Sequence, residues 1–378
     1  MAFEHYVRSG TRLLRCGYTT GTCAALTASG AVRLLLTGEA PDALRVMTPK
    51  GWPVEVEPVF CRMSGNTALC AVRKDAGDDP DVTDGMLIVA SAEKTESGIK
   101  IDGGAGIGRV TKPGLDQPVG AAAINSVPRR QICEAAEKAC AACGYPGGVR
   151  IVISAPEGEE IAKKTFNPQL GIVGGISILG SSGVVEPMSE RAIVETTALE
   201  IRQAAAGGNR RMILLPGNYG MDYLTRNLPE LSAVPRAKCS NYIGDAIDAA
   251  RLEGFDNVLL IGHIGKLVKL AGGIMNTHSK TADCRRELFV CHAALCGADT
   301  ATCRALMDEV TSDGCLTVLD HAGLRDKVME SLLRTIQEYL ARRAGDMRIG
   351  ALLFSSEAGL LGLTDTAREL LDEWRQEP

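Results

Sequence analysis

From about Ser189 onward the chain alternates between helical stretches and short apolar runs, and this rhythm restricts the fold more than any other feature. A capped helical stretch, Ser189 to Ala206, precedes the apolar run Met212–Leu215. A helical pattern then covers Tyr242–Glu253, and a second apolar run covers Val258–Ile261. Helix continues through Leu340, Ile349–Phe354 reads as a late strand, and an amphipathic helix follows. Uniformly apolar short strands separated by helices are what a parallel sheet covered on both faces requires. The expectation for residues 186–378 is a doubly wound, Rossmann-like α/β domain.

The first half has a different grammar. Leu44–Thr48 and Trp52–Phe60 flank Pro49-Lys50-Gly51 as a hairpin, and Val54 to Val59 alternates with a period of two. Further strands are expected at Thr67–Val72, Met86–Ala90, Ile99–Ile101 and Arg150–Ser154, with helices at Thr22–Thr37 and Arg129–Cys143. Residues 1–185 therefore read as a strand-rich α+β domain, with the boundary in the glycine-rich stretch from Gly171 to Pro187. A length of 378 residues suits two domains at roughly 150 residues each.

Composition excludes several functions. A net charge of −5 argues against a general nucleic-acid binder, and 4% aromatic residues leave little with which to stack bases. The longest uncharged stretch of note, Thr165 to Val185, is broken by Asn167, Pro168 and five glycines, too polar for a membrane helix. The opening MAFEHYVRSGTRLLR lacks the apolar segment of a signal peptide. A cytoplasmic protein with reduced thiols is expected, its thirteen cysteines serving mainly as small core residues. That reading covers the Cys140/Cys143 pair and the group Cys284, Cys291, His292, Cys296 and Cys303, so no metal site is expected.

Four segments are candidates for chemistry. Gly17-Tyr18-Thr19-Thr20-Gly21-Thr22 leads into a helix, whose N-terminal N–H groups and hydroxyls at Thr19, Thr20 and Thr22 suit a carboxylate or phosphate. An N-cap satisfying only its own backbone is the alternative. Asp75, Asp78, Asp79, Asp81 and Asp84 crowd one segment and either form a solvated turn or call for a divalent cation, a substrate cation, or nearby Arg and Lys. Asp102 to Gly114 is glycine-rich without the GxGxxG spacing, and is either a plain connection or a loop that brings Arg109 and Lys112 to an anion. Finally, Val258–Ile261 runs into Gly262-His263-Ile264-Gly265 and a basic helix start with Lys266 and Lys269. Such turns lie where open α/β sheets bind ligands. Asn276-Thr277-His278-Ser279-Lys280 follows, and Leu215-Pro216-Gly217-Asn218 offers a second strand-to-glycine turn.

The strings LRCGYTTGTCAA, KDAGDDPDVTDG, GRVTKPGL, GEEIAKKTFNPQLGIVGGISILG, LLPGN and IGHIGKLVKLAGGIMNTHSKTAD, in this order from Leu14 to Asp283, resemble the cobalt-precorrin-5B C(1)-methyltransferase (CbiD) family. Cys284 departs from it, standing where a glycine is expected. The resemblance implies methyl transfer from S-adenosylmethionine to carbon 1 of a tetrapyrrole, with cobalt present only as part of the substrate. It implies carboxylate contacts from Thr19, Thr20, Thr22, Arg109, Lys112, Lys164, Lys266, Lys269 and Lys280. Asp78, Asp79 and Asp81 would face the sulfonium, and Gly217, Asn218, Gly262 and Gly265 would border the donor. His263 or His278 would take up or steer a proton. A homo-oligomer is left open, and no nucleic acid or membrane partner is implied. Two other classes remain: a metal-dependent phosphoryl-transfer enzyme using the aspartates, and a non-catalytic tetrapyrrole carrier.

Overall fold

The computed structural model describes residues 3–376, apart from Gly10, Gln169 and Met188. The chain divides into two compact units, Met1–Ser189 and Glu190–Pro378. Both mix helix and sheet.

In the first unit, β1 (Phe60–Ser64), β2 (Thr67–Arg73), β3 (Leu87–Thr95), β4 (Ile99–Gly103) and β5 (Gly148–Ser154) form a sheet of order β1-β2-β3-β5-β4. Only the β4–β5 pair is parallel. Strand period explains which face is buried. Ile88, Ala90 and Ala92 of β3 and Val149, Ile151 and Ile153 of β5 point into one core. Helices α1 (Thr20–Thr37) and α2 (Ser126–Ala142) cover that face with small residues, Ala24, Ala25, Ala28, Ala31, Ala135 and Ala136, which let helix and sheet approach closely. Cys61 and Cys70 stand directly opposite in the β1–β2 register and are joined as a disulfide, against the expectation of fully reduced thiols. Pairing across that register cannot be read from spacing alone.

The second unit contains α3 (Glu190–Ala206), β6 (Arg211–Leu215), α4 (Asn218–Asn227), β7 (Arg236–Lys238), α5 (Ile243–Leu252) and β8 (Asn257–His263). These are followed by α6 (Ile264–Leu267), α7 (Arg285–Leu295), α8 (Ser312–His321), α9 (Arg325–Ala344), β9 (Arg348–Ser355), β10 (Gly359–Leu363) and α10 (Asp365–Gln376). Its sheet runs β7-β6-β8-β9-β10, parallel except for the last strand. Alternate residues feed two cores. Met212, Leu214, Val258, Leu260, Ala351 and Leu353 meet α5 and α9, whereas Ile213, Leu215, Leu259, Ile261, Leu352 and Phe354 meet α4 and α10. From β6 the chain crosses to β7 on one side and then to β8 on the other, so its direction reverses between β6 and β8. No helix among the described residues is long and apolar enough to cross a membrane.

Candidate functional site

In the first unit the threonine loop and the aspartate loop are laced together. Tyr18 N–H donates to the Asp75 carbonyl at 2.9 Å, Asp78 N–H to the Arg15 carbonyl at 2.9 Å, and Cys16 bridges Gly77. Side chains on Gly17 and Gly77 are sterically forbidden here: a Cβ on Gly77 would lie 2.2 Å from the Arg15 carbonyl oxygen. The carboxylates find partners within the protein. Asp75 takes a bidentate pair from Arg15 at 2.6 and 2.8 Å, and this hydrogen bonding holds its pKa below the usual carboxylate range. Asp78 accepts the Arg15 N–H at 2.7 Å, and Asp84 the Ala76 N–H at 2.8 Å. Arg15 and Lys74 supply nearby cations to Asp75 and Asp81, while Asp78 and Asp84 take backbone N–H groups.

Asp81 is bound at 2.7 Å by the ammonium of Lys74, a residue that sequence reasoning passed over. Lys74 is 2% exposed, a costly position for a charge. Its one sequence signal was its place at the head of the aspartate segment, just beyond the expected strand Thr67–Val72. Burial pushes the Asp81 pKa up, but the charge of Lys74 and hydrogen bonds from Lys74 and Thr83 outweigh it, and the pKa lies below the ordinary value. Lys74 and Asp81 line a cavity of about 170 Å³ with Thr19, Thr20, Asn167 and Ser177.

The threonines divide in role. Thr19 caps α1, its hydroxyl accepting the Thr22 N–H. Thr20 accepts the Leu179 N–H at 3.0 Å, and Thr22 donates to the Gly183 carbonyl at 2.7 Å and does not line the cavity. Arg109 is drawn into a pair with Asp102 at 2.8 Å, so it is not a free anion contact. Lys112 and Lys164 are exposed.

In the second unit, the turns after β6 and β8 come together at the carboxyl ends of the strands. Gly217 adopts a φ of 126°, and a Cβ there would stand 3.5 Å from the Lys266 ammonium. Lys266 donates to the Ser240 carbonyl at 3.2 Å, and burial lowers its pKa. Ser240 has a φ of 53°, an uncommon conformation for a non-glycine residue, just beyond β7. Asn218 accepts from Lys238 at 3.0 Å. Gly262 is required by packing, since a Cβ would meet the Leu267 side chain at 2.9 Å, and the Gly265 N–H is bound to His263.

His263 ends β8 and caps α6. Its Nδ1 accepts the Gly265 N–H at 3.1 Å, Nε2 lies 3.3 Å from the Ser356 N–H, and Asp313 Oδ2 is 3.9 Å from Nε2. A neutral ring accepts at one nitrogen only, so each tautomer makes only one of the two N–H contacts a hydrogen bond. Ser355 donates to the other Asp313 oxygen. Burial lowers the His263 pKa, and Asp313 opposes that shift without reversing it.

Lys269 departs from expectation. The helix α6 is only four residues long, and a 3₁₀ segment, Val268–Gly272, follows it and places Lys269 in the interior. There its ammonium donates to the carbonyls of Thr277 at 3.0 Å and Ala282 at 2.8 Å. It fastens the loop that carries His278 and is not available to a ligand. His278 Nδ1 accepts the Lys280 N–H, while Lys280 itself is exposed. The expected donor contacts are thus divided, with Asp78, Asp79 and Asp81 in the first unit and Gly217, Asn218, Gly262 and Gly265 in the second.

Comparison with known proteins adds an independent line. The family model described as CbiD matches residues 7–187, and that described as CbiD, C-terminal domain, matches residues 276–365. A Ruminiclostridium cellulolyticum protein named cobalt-precorrin-5B C(1)-methyltransferase is 48% identical over 98% of this chain and 94% of its own. A protein of the same name from Alkaliphilus metalliredigens is 41% identical over 99% of this chain and 98% of its own. The crystal structure of the cobalamin biosynthesis protein cbiD from Archaeoglobus fulgidus is 31% identical, covers 75% of this chain and 87% of its own, and superposes with a TM-score of 0.40. Cys284, with a φ of 50°, occupies the left-handed region that glycine enters freely, consistent with the glycine expected there. With matches that run through both units at this identity, the chain belongs to the CbiD family.

Proposed function

We propose that this protein is a cytoplasmic enzyme that transfers a methyl group from S-adenosylmethionine to carbon 1 of cobalt-precorrin-5B, giving cobalt-precorrin-6A in anaerobic cobalamin biosynthesis. The observation that carries this reading is 48% identity across 98% of the chain to a relative of that name. The order of the second sheet supports a doubly wound reading. In such sheets ligands bind beyond the strand carboxyl ends at the reversal, which here is the turn pair bearing Gly217, His263 and Lys266.

In this mechanism the macrocycle carbon supplies an electron pair to the donor methyl and the sulfur–methyl bond breaks. Its electrons remain on sulfur, so the sulfonium becomes a neutral thioether. Alignment of carbon, methyl and sulfur at ~3–3.5 Å between reacting atoms does most of the work. His263, neutral because burial lowers its pKa, accepts the proton that the methylated macrocycle releases. Within the second unit, Lys266 holds a pigment carboxylate and the exposed Lys280 meets another. Cobalt enters and leaves inside the pigment.

The test is an anaerobic incubation with S-adenosylmethionine and cobalt-precorrin-5B, followed by mass analysis. The expected product is heavier by one methylene and carries label from a labelled donor methyl. An unchanged pigment that binds while the donor does not would replace this reading with a carrier.

A further inference from the structure

Lys74 has three N–H donors, and among the described residues its one hydrogen-bond acceptor is Asp81 at 2.7 Å. The remaining donors belong to a side chain 2% exposed that lines a cavity of about 170 Å³. A buried ammonium with unmet donors calls for an anionic oxygen. Asp81, paired with that ammonium through Oδ2 and with Thr83 through Oδ1, keeps 26% of its side chain exposed and has room for a second cation on its open side. Val82, Ile176, Leu179 and Val185 supply apolar surface beside the pair. An ammonium and a carboxylate next to an apolar wall complement the two charges of an α-amino acid and its aliphatic chain.

Charge balance selects the molecule. Asp75, Asp78, Asp79, Asp81 and Asp84 stand against Arg15 and Lys74, so the loop pair has a negative surplus. A pigment edged with carboxylates is repelled there, whereas the methyl donor, with its sulfonium, ammonium and carboxylate, carries a net positive charge.

We propose that this cavity binds the amino-acid end of the methyl donor, its carboxylate on Lys74 and its ammonium on Asp81. The assignment rests on the methyl-transfer reading and gives Asp81 a more specific partner than the sulfonium. Thr19 and Thr20 then border the donor rather than the pigment, because both residues line the same cavity. Loss of the methyl group removes one positive charge, so the spent donor is held less tightly, which favours its release.

Equilibrium binding, with and without pigment, tests this on the unaltered chain and on two variants. On the unaltered chain, decarboxylated S-adenosylmethionine should bind about tenfold or more weakly than the intact donor. Lys74→Met should weaken the intact donor by a similar factor and leave the decarboxylated one nearly unchanged, and Asp81→Asn should weaken both. Equal affinity of the two donors for the unaltered chain overturns the proposal even if neither variant folds. A Lys74→Met chain that loses pigment but keeps donor overturns it as well, because the cavity would then serve the pigment. Either result on a chain that still methylates cobalt-precorrin-5B leaves the reaction standing, whereas absence of methylation by the unaltered chain removes the reading beneath it.

Discussion

His263 Nδ1 accepts the backbone N–H of Gly265 at 3.1 Å, so the imidazole that faces the crevice is also the cap of the helix after β8. Protonating the ring would break that cap, and burial holds its pKa below the ordinary 6.5 against the opposing charge of Asp313.

The sign of the pH dependence follows. A base with a lowered pKa is competent above that pKa, so the methylation rate should be flat through neutrality and fall only as pH drops below about 6.5. His263→Gln should reduce kcat by about 10²–10⁴-fold, the usual span for a general base. Steady-state rates against pH check both. Stability should follow the same direction: the neutral ring's contribution is present above 6.5 and is lost as pH falls through the folded-state value.

Asp75 is the second titrating prediction. Its lowered pKa means that the Arg15 pair stabilises the fold above the unfolded carboxylate value of about 3.9, and that this contribution is lost as pH falls through the lower folded value. Both side chains are about one-third exposed, so solvent screens the pair, and Asp75→Asn should cost about 1–2 kcal/mol at pH 7. Urea unfolding at pH 7 and pH 3 should show the difference between wild type and variant shrinking at the lower pH.

Gly77→Ala should be more damaging than a surface substitution of the same size. With a φ of 67° and the Arg15 carbonyl 2.2 Å from the new Cβ, both strain and collision oppose it. A loss of at least about 1–3 kcal/mol is expected. Gly85→Ala is the control, because its φ of 73° is similar but its new Cβ would meet no neighbour within 4 Å. A thermal melt should separate the two.

Lys269→Met should leave the strands intact and loosen the loop beyond them. The buried carbonyl of Thr277 and the part-buried one of Ala282 lose their donor, at about 1–3 kcal/mol. Amide hydrogen exchange should rise across residues 276–284 while β8 stays protected. Exchange unchanged in that segment would contradict the tethering role.

Elements with many residues in phase could be read from the sequence. The runs Met212–Leu215 and Val258–Ile261 lie within β6 and β8, and the expected helix from Thr22 to Thr37 matches α1 apart from its first turn. Strand β7 could not be read, because three residues with only Ala237 buried carry no period. Strand β10 was hidden by Gly359 and Gly362 in a five-residue span. At the site, residue types were visible but partners were not. Lys266 and Lys269 looked equivalent three positions apart, until a change from α to 3₁₀ geometry sent one into the interior. Lys74 heads the aspartate segment but received no role, because its importance lies in burial, which a lone lysine does not advertise.

The crossing of the Cys16–Tyr18 and Asp75–Asp78 backbones also bears on how this protein can be altered. Two segments some sixty positions apart are fastened by main-chain contacts that leave no room for a side chain at Gly17 or Gly77. Neither loop can be transplanted, lengthened or randomised alone. A chimera that imports one from a distant relative should fail, while one that imports both together retains a matched pair.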